Sequence, residues 1–277
     1  MSRKNKKTPF AKKSFGQNFL VDQNYIDKII SALNAEAGET IIEIGAGRGA
    51  LTEKLLESGA NIIAVELERD MIAVLKERFS ALDNFKLVES DALKVDFAKV
   101  VNPESEIPDP KPVKLVANLP YYISTAILQK LIEQRAVFSE MILMFQREVV
   151  ERITAEVGNK ERGFLTVLTE AFLRAEKLFD VSPNAFRPAP KVWSAVVRLV
   201  PNDKTLITDE KLFREIISAA FTQKRKTILN NLKNLAPDLK AKIGDAHELL
   251  EKAGIKPNRR AESLSLDDWQ QILAAVA

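Results

Sequence analysis

The tetrapeptide Asn118-Leu119-Pro120-Tyr121 contains residue types that can hold a flat aromatic amine. The side-chain oxygen of Asn118 and the carbonyl of Leu119 can each accept one hydrogen of an exocyclic amine such as N6 of adenine. Pro120 restricts Leu119 to an extended conformation, and the ring of Tyr121 offers a face for base stacking. An ordinary turn is the alternative, because Asn and Pro are common in turns. The tetrapeptide therefore predicts methylation of an adenine amine. Neutral Asn118 would position the nitrogen, and no general base would be needed.

A glycine turn over residues 43–49, with the sequence Glu-Ile-Gly-Ala-Gly-Arg-Gly, is the second candidate site. It lies between a predicted strand and a predicted helix, where α/β sheets bind nucleotide-like ligands, and Gly45 and Gly47 let the backbone approach such a ligand. The third glycine comes one residue earlier than in the dinucleotide fingerprint, and the acid Glu43 would disfavour a pyrophosphate. The turn therefore favours the positively charged S-adenosylmethionine over a nicotinamide dinucleotide.

Two carboxylates follow the next two predicted strands. Glu66 comes about twenty residues after the first glycine, where a carboxylate can accept hydrogen bonds from both ribose hydroxyls. Glu68 is the competing acid, but Glu66 directly follows the apolar strand residues. Asp91 follows the third strand and is a candidate to accept from the adenine amine of the cofactor, to cap a short helix, or to do both.

Alternating apolar patterns predict the elements that bring these residues together. Compact apolar runs predict strands over 40–44, 61–65, 85–88, 113–117 and 141–145. Helical spacing predicts helices over 50–58, 70–79 and 124–133. Such alternation is typical of a parallel sheet covered by helices on both faces, a Rossmann-like α/β fold. Two further runs, 178–181 and 192–200, flank a proline-rich turn and predict paired strands that close the sheet.

The pattern changes after Pro201, where apolar residues keep helical spacing without intervening strands. We therefore predict a basic flexible tail over 1–14, a Rossmann-like methyltransferase domain over 15–201 and a small helical RNA-binding domain over 202–277. The proline-rich segment 102–112 is predicted to be a surface loop without chemistry. Lys224-Arg225-Lys226 and Arg259-Arg260 are candidate phosphate contacts, although cationic runs are also common on solvated helix faces.

Composition excludes several other kinds of site. The 277 residues contain no cysteine, which rules out disulfides, thiolate metal sites and cysteine nucleophiles. The sole histidine, His247, lies far from the motifs, so we expect no metal site and no serine triad. The basic N-terminus is not followed by an apolar run long enough for a signal peptide or membrane span. We therefore expect a cytoplasmic protein without a membrane partner.

Four motifs resemble those of the bacterial 16S ribosomal RNA adenine N6-dimethyltransferases, the KsgA/RsmA family, and the resemblance covers nearly the whole chain. Gly16-Gln17-Asn18-Phe19-Leu20 resembles the N-terminal cofactor motif of that family. Residues 43–49 resemble its glycine loop, and 118–121 its catalytic tetrapeptide. The run Pro-Asn-Ala-Phe-Arg-Pro over 183–188 resembles its late aromatic motif.

The resemblance implies roles for individual residues. Phe186 would stack on the target adenine opposite Tyr121. Without the resemblance, residues 17–20 would be interpreted as the entry to the first helix, and Phe186 as a core residue or turn anchor. The residues expected to bind the cofactor are Asn18, Leu20, Gly45, Gly47, Glu66, Asp91 and Asn118.

The resemblance also implies an activity: dimethylation of two adjacent adenosines in the 3′-terminal hairpin of 16S rRNA, by a monomer acting on the pre-30S or 30S subunit late in assembly. Two alternatives keep the fold, namely a 23S rRNA adenine methyltransferase and a non-catalytic ribosome-assembly or transcription factor. Leu119 and Gly16 favour the 16S branch over the 23S branch. A nicotinamide oxidoreductase is the alternative from another enzyme class.

Overall fold

The computed structural model describes residues 18–103, 113–203 and 207–276. The predicted tail over 1–14, Gly16, Gln17 and most of the proline-rich loop lie outside the described residues. The chain divides into two compact units, one running up to Arg147 together with Glu176–Pro201, and the other formed by Glu148–Ala175 with the residues from Asn202 onward.

The main sheet has seven strands. Their bounds are β2 (Thr40–Ile44), β3 (Asn61–Glu66), β4 (Phe85–Glu89), β5 (Val113–Asn118), β6 (Phe138–Gln146), β7 (Leu173–Val181) and β9 (Ser194–Pro201), in the spatial order β4-β3-β2-β5-β6-β9-β7. Strands β4, β3, β2, β5 and β6 pair in parallel, and β9 runs antiparallel to β6. The predicted Rossmann-like sheet, including its closing strands, is confirmed.

Helices of the first unit cover this sheet, as expected for parallel strands that are buried on both faces. They are α1 (Gln23–Leu33), α2 (Ala50–Glu57), α3 (Arg69–Phe79), α4 (Phe97–Val101) and α5 (Ser124–Glu133). In α1, Ile26, Ile29 and Leu33 recur at helical spacing and are buried in the same core as Ile41. The Asp22 carboxylate caps this helix by accepting from the amide of Asn24 at 2.9 Å.

A short two-stranded sheet joins the N-terminal motif to the late aromatic motif. Strand β1 (Phe19–Leu20) pairs antiparallel with β8 (Phe186–Arg187), so that Leu20 lies opposite Phe186. Both of these side chains belong to the core. The interpretation of residues 17–20 as a helix entry is therefore wrong for Phe19 and Leu20, because α1 begins only at Gln23.

The second unit consists of α6 (Arg147–Ile153) from Glu148 onward, α7 (Phe164–Phe172), α8 (Glu210–Ala220), α9 (Ile228–Lys233), α10 (Pro237–Ile243), α11 (Ala246–Lys252) and α12 (Leu266–Ala274). The apolar pattern predicts that the helical domain begins at Asn202, whereas the compact unit also includes residues 148–175. Helix α7 packs with the later helices because it is apolar on most sides. Its Phe172 ring lies edge-on to Phe213 with centroids 6.1 Å apart. Among the described residues, no helix is long and apolar enough to cross a bilayer.

Candidate active site

A cavity of about 370 Å³ opens at the carboxyl ends of β2, β3 and β5, within the first unit. Its size lies in the usual range for small-ligand sites, and its position is the crevice where doubly wound sheets bind their ligands. The predicted site residues that line it are Asn18, Leu20, Gly45, Gly47, Glu66, Asn118, Leu119, Pro120 and Tyr121. The tertiary structure therefore brings the glycine turn, the N-terminal motif and the tetrapeptide together.

The remaining residue expected to bind the cofactor, Asp91, lines an adjoining cavity of about 70 Å³. It shares Gly45, Glu66 and Pro120 with the larger cavity. The Asp91 carboxylate accepts from the amide of Leu93 at 3.0 Å and so caps the short 3-10 helix Ala92–Lys94. Asp91 therefore both caps this helix and lines the cavity, two roles that the sequence analysis had left open together.

Glu66 ties the end of β3 to the glycine turn. One carboxylate oxygen accepts from the amide of Gly47 at 2.9 Å, and the other accepts from the amides of Leu67 and Glu68, both at 2.9 Å. These backbone donors fix the carboxylate where both cavities meet. A carboxylate held this way keeps lone pairs for hydroxyl donors of a ligand. The competing acid, Glu68, is buried and lines only the smaller of these two cavities.

Asn118 is the last residue of β5 and lies on the cavity wall. Its amide nitrogen donates to the carbonyl of Asn18 at 3.3 Å. This bond orients the amide so that the side-chain oxygen is its remaining group for accepting hydrogen from a ligand. The contact joins two motifs that lie 100 residues apart.

Hydrogen bonds fix both the side chain and the backbone of Tyr121. Its hydroxyl lies 2.7 Å from the hydroxyl of Ser194 on β9, and its carbonyl accepts from Ser124 at 3.0 Å. Burial raises the pKa of the Tyr121 hydroxyl, an effect that the Ser194 hydrogen bond partly offsets. A neutral, immobilised ring beside the cavity is suited to stacking on a base.

Residues 10–277 match the family model described as ribosomal RNA adenine dimethylase. The chain belongs to this family. Relatives named ribosomal RNA small subunit methyltransferase A include one from Hahella chejuensis, 40% identical over 95% of this chain and 91% of the relative, and one from Pseudomonas putida, 42% identical over 92% and 91%. The protein is thus an S-adenosylmethionine-dependent ribosomal RNA adenine dimethylase, and the predicted enzyme class and cofactor are confirmed.

Solved structures agree with the fold of this dimethylase. A dimethyladenosine transferase from Plasmodium falciparum superposes with a TM-score of 0.74 at 28% identity, covering 92% of this chain and 96% of that one. The 23S rRNA methyltransferase ErmE superposes with a TM-score of 0.67 at 23% identity, covering 94% and 99%. At that identity ErmE supports the fold alone.

Phe186 is the predicted site residue that the structure keeps away from the cavity. Its ring is fully buried in the core with Leu20 and Val181, and it lines neither of the two cavities described above. The alternative interpretation of Phe186 as a core residue agrees with this burial. Stacking of Phe186 on the target adenine would require the ring to become exposed, and it stays a prediction.

Glu43, which the sequence analysis considered only for its charge, lines the larger cavity. It is buried at the wall of the larger cavity, and the hydroxyl of Thr52 donates to its carboxylate at 2.6 Å. Burial raises the pKa of Glu43 to about 7, with a further increase from the nearby charge of Glu66 and an opposing effect of the Thr52 hydrogen bond. A cationic ligand in the cavity would favour the ionised form.

The N-terminal motif is also held by contacts that sequence reasoning missed. The Arg48 guanidinium lies over the ring of Phe19, 4.4 Å from its centroid. A Cβ at Gly47, whose φ is +56°, would lie 3.3 Å from the same ring. Local periodicity carries no signal for such a contact, because the two segments are far apart in the sequence.

The cationic residues predicted to contact RNA phosphates lie in the second unit and differ in their surroundings. Lys224, Arg225 and Lys226 are exposed on the turn between α8 and α9. Arg259 instead pairs with Asp268 at 2.9 Å, so its guanidinium is already used within the unit. In the three described stretches of chain, no group of three or more His, Cys, Asp or Glu side chains is arranged to hold a metal ion.

Proposed function

We propose that this dimethylase methylates N6 of two adjacent adenosines in the 3′-terminal hairpin of 16S rRNA, twice each, as a monomer acting on the pre-30S or 30S subunit in the cytoplasm. The observation that carries the proposal is the common cavity of Asn118, Leu119 and Glu66, which brings two amine acceptors beside the cofactor carboxylate. The names of the bacterial relatives support the small subunit as the target.

The amine of adenine is a poor nucleophile because its lone pair is delocalised into the ring. The side-chain oxygen of Asn118 and the carbonyl of Leu119 each accept one N6 hydrogen and draw the nitrogen toward tetrahedral geometry. Asn118 is neutral, so it holds the N–H without taking the proton. Leu119 is buried and its amide donates to the carbonyl of Met144 at 3.3 Å, which fixes the peptide group that follows.

S-adenosylmethionine supplies the methyl group, as a sulfonium, when it is bound. Glu66 would accept the ribose hydroxyls, Asp91 would accept from the adenine amine of the cofactor, and Gly45 and Gly47 would let the backbone approach the amino-acid end. Asn18 and Leu20 would cover the cavity from the N-terminal side. Ionised Glu43 would balance the positive charge of the ligand.

The ring of Tyr121 would hold the target base through stacking. Its hydroxyl bond to Ser194 keeps the ring from rotating, so the base meets a fixed surface. The exposed cations Lys224, Arg225 and Lys226 would contact RNA phosphates, which position the substrate without reading its sequence.

The test is methylation of isolated ribosomal subunits that lack this modification, using cofactor labelled in the methyl group. We expect label in dimethyladenosine within the 3′-terminal hairpin of 16S rRNA, and none when the large subunit is supplied. Dimethyladenosine in 23S rRNA, or labelled cofactor consumed without any dimethyladenosine, would contradict the proposal. Sedimentation velocity of the enzyme tests the monomeric state.

A further inference from the structure

The two tryptophans of this chain have opposite environments. Trp269 is only 1% exposed and packs against Phe221, with ring centroids 5.9 Å apart. Trp193 leaves 44% of its surface exposed. Burial of a large aromatic side chain is strongly favourable, so an exposed tryptophan beside a functional site requires an explanation.

The backbone of Trp193 is fixed next to the catalytic tetrapeptide. Trp193 directly precedes Ser194, which is fully buried and whose hydroxyl lies 2.7 Å from the hydroxyl of Tyr121. The Trp193 carbonyl accepts from the amide of Arg147 at 2.9 Å. Because consecutive Cα atoms are about 3.8 Å apart, the indole starts within a few ångströms of the residue that anchors the base-stacking tyrosine.

The charge of the surrounding segment indicates the kind of partner. Between Asp180 and Asp203 the chain has no acidic residue, while Arg187 at the end of β8 and Lys191 in the loop that leads to Trp193 are both exposed. The Arg187 guanidinium donates to the carbonyls of Asn184 and Phe186 at 3.1 and 2.8 Å, which holds it in place. An exposed aromatic ring accompanied by cations is the surface that single-stranded nucleic acids bind.

We propose that Trp193 is a stacking platform for the base next to the target adenosine in the RNA. The inference rests on the proposed function and deepens it: Tyr121 holds the base that reacts, Trp193 holds its neighbour, and Arg187 and Lys191 contact the phosphates of that strand. With two adjacent target adenosines, the neighbour held on Trp193 is the other adenosine of the pair during one of the two modifications.

The test compares Trp193→Ala, Trp193→Gln and Trp193→Phe with the wild type on undermethylated small subunits. Stacking on one base predicts a KM for subunits about 5- to 150-fold higher in Trp193→Ala and Trp193→Gln, with recovery in Trp193→Phe. The neighbouring exposed residue supplies a matched control, since Val192→Ala removes apolar surface without a ring and should leave KM unchanged. The affinity for S-adenosylmethionine should be the same in all variants.

Two readouts separate stacking from a merely structural role. Mass spectrometry should show that Trp193→Ala lowers modification of one adenosine more than of the other, and the melting temperatures should match that of the wild type. Equal KM values and equal modification of both adenosines in Trp193→Ala and the wild type would overturn the inference while leaving the proposed function intact. A wild-type enzyme that makes no dimethyladenosine in small subunits would instead refute the proposed function.

Discussion

Glu66 in the first unit and Arg162 in the second are both buried charged residues, but their partners differ. Glu66 accepts hydrogen bonds from three backbone amides and still lies on the wall of both cavities of the candidate active site. Arg162 is 1% exposed, pairs with Glu170 at 2.5 Å, and donates to the carbonyls of Ala155 and Leu264 at 3.3 and 3.2 Å. Its partners belong to the same unit and join α7 to the segment before α12.

The comparison shows that burial of a charge does not by itself mark a functional site. A carboxylate fixed by backbone donors at an open cavity is pre-organised for a ligand, because little reorganisation is needed on binding. A guanidinium whose hydrogen bonds end on helices and turns of its own unit stabilises the fold. Variants of the two regions should therefore separate catalysis, cofactor affinity and stability.

The largest effect is expected for Asn118→Ala, which removes one of the two proposed N6 acceptors. By analogy with the loss of one preorganised hydrogen-bonding group, kcat should fall by about 10²- to 10³-fold. The side chain is only half-buried, so the melting temperature should change little. Methyl transfer to small subunits measures the first quantity and calorimetry the second. Unchanged kcat in a folded Asn118→Ala protein would refute the role of the amide.

The next effect is expected for Glu66→Gln, which replaces one acceptor oxygen by a donor. Loss of charge-assisted hydrogen bonds should raise the Kd for S-adenosylmethionine by about 10- to 100-fold. Isothermal titration calorimetry measures this change. Glu57→Gln is the matched control, because Glu57 is an exposed acid of the same unit, and its Kd should equal that of the wild type. A Kd unaffected by Glu66→Gln would assign the ribose contact to another acid.

Replacing Arg162 by Met should lower stability without changing the affinity for the cofactor. The change leaves Glu170 without its partner and should lower the free energy of unfolding by about 1–3 kcal/mol, less than for a fully buried pair because Glu170 is 38% exposed. Urea denaturation checks this value, with the exposed Arg174→Met as control. The Kd for S-adenosylmethionine should not change, and a large change would mean that the two regions are coupled.

A further effect, visible only as a change with pH, is the contribution of Glu43 to stability. Its pKa is raised from 4.5 to about 7 in the folded protein, so the folded state binds the proton more tightly than the unfolded state does. Its contribution to stability is therefore complete below about pH 4.5 and is lost as pH rises through about 7. Compared with the wild type, Glu43→Gln should show a flatter decline in the free energy of unfolding between these values. Identical pH profiles would mean that the pKa of the Glu43 carboxyl is the same in the folded and unfolded states.

The order of the motifs along the chain predicted the sheet and the grouping of most candidate site residues at one of its edges. Gly45, Glu66, Asp91 and Asn118 each follow an apolar run that forms a strand. Because parallel strands end at one edge, local sequence was sufficient to place them together. The same local argument places the boundary between the units at Asn202, whereas residues 148–175 group with the later helices through contacts such as that of Phe172 with Phe213, for which local periodicity carries no signal.

The sequence alone determined the fold class, the family, the cofactor and the strand-end residues, because these follow from short apolar periods and contiguous motifs. Only the tertiary structure decided that Phe186 is buried against Leu20, that Ser194 anchors Tyr121, that Asn18 orients Asn118 and that Arg162 reaches Leu264. The last three contacts join residues 73, 100 and 102 positions apart. Local propensity carries no information about such pairs, since their geometry arises only when the whole chain packs.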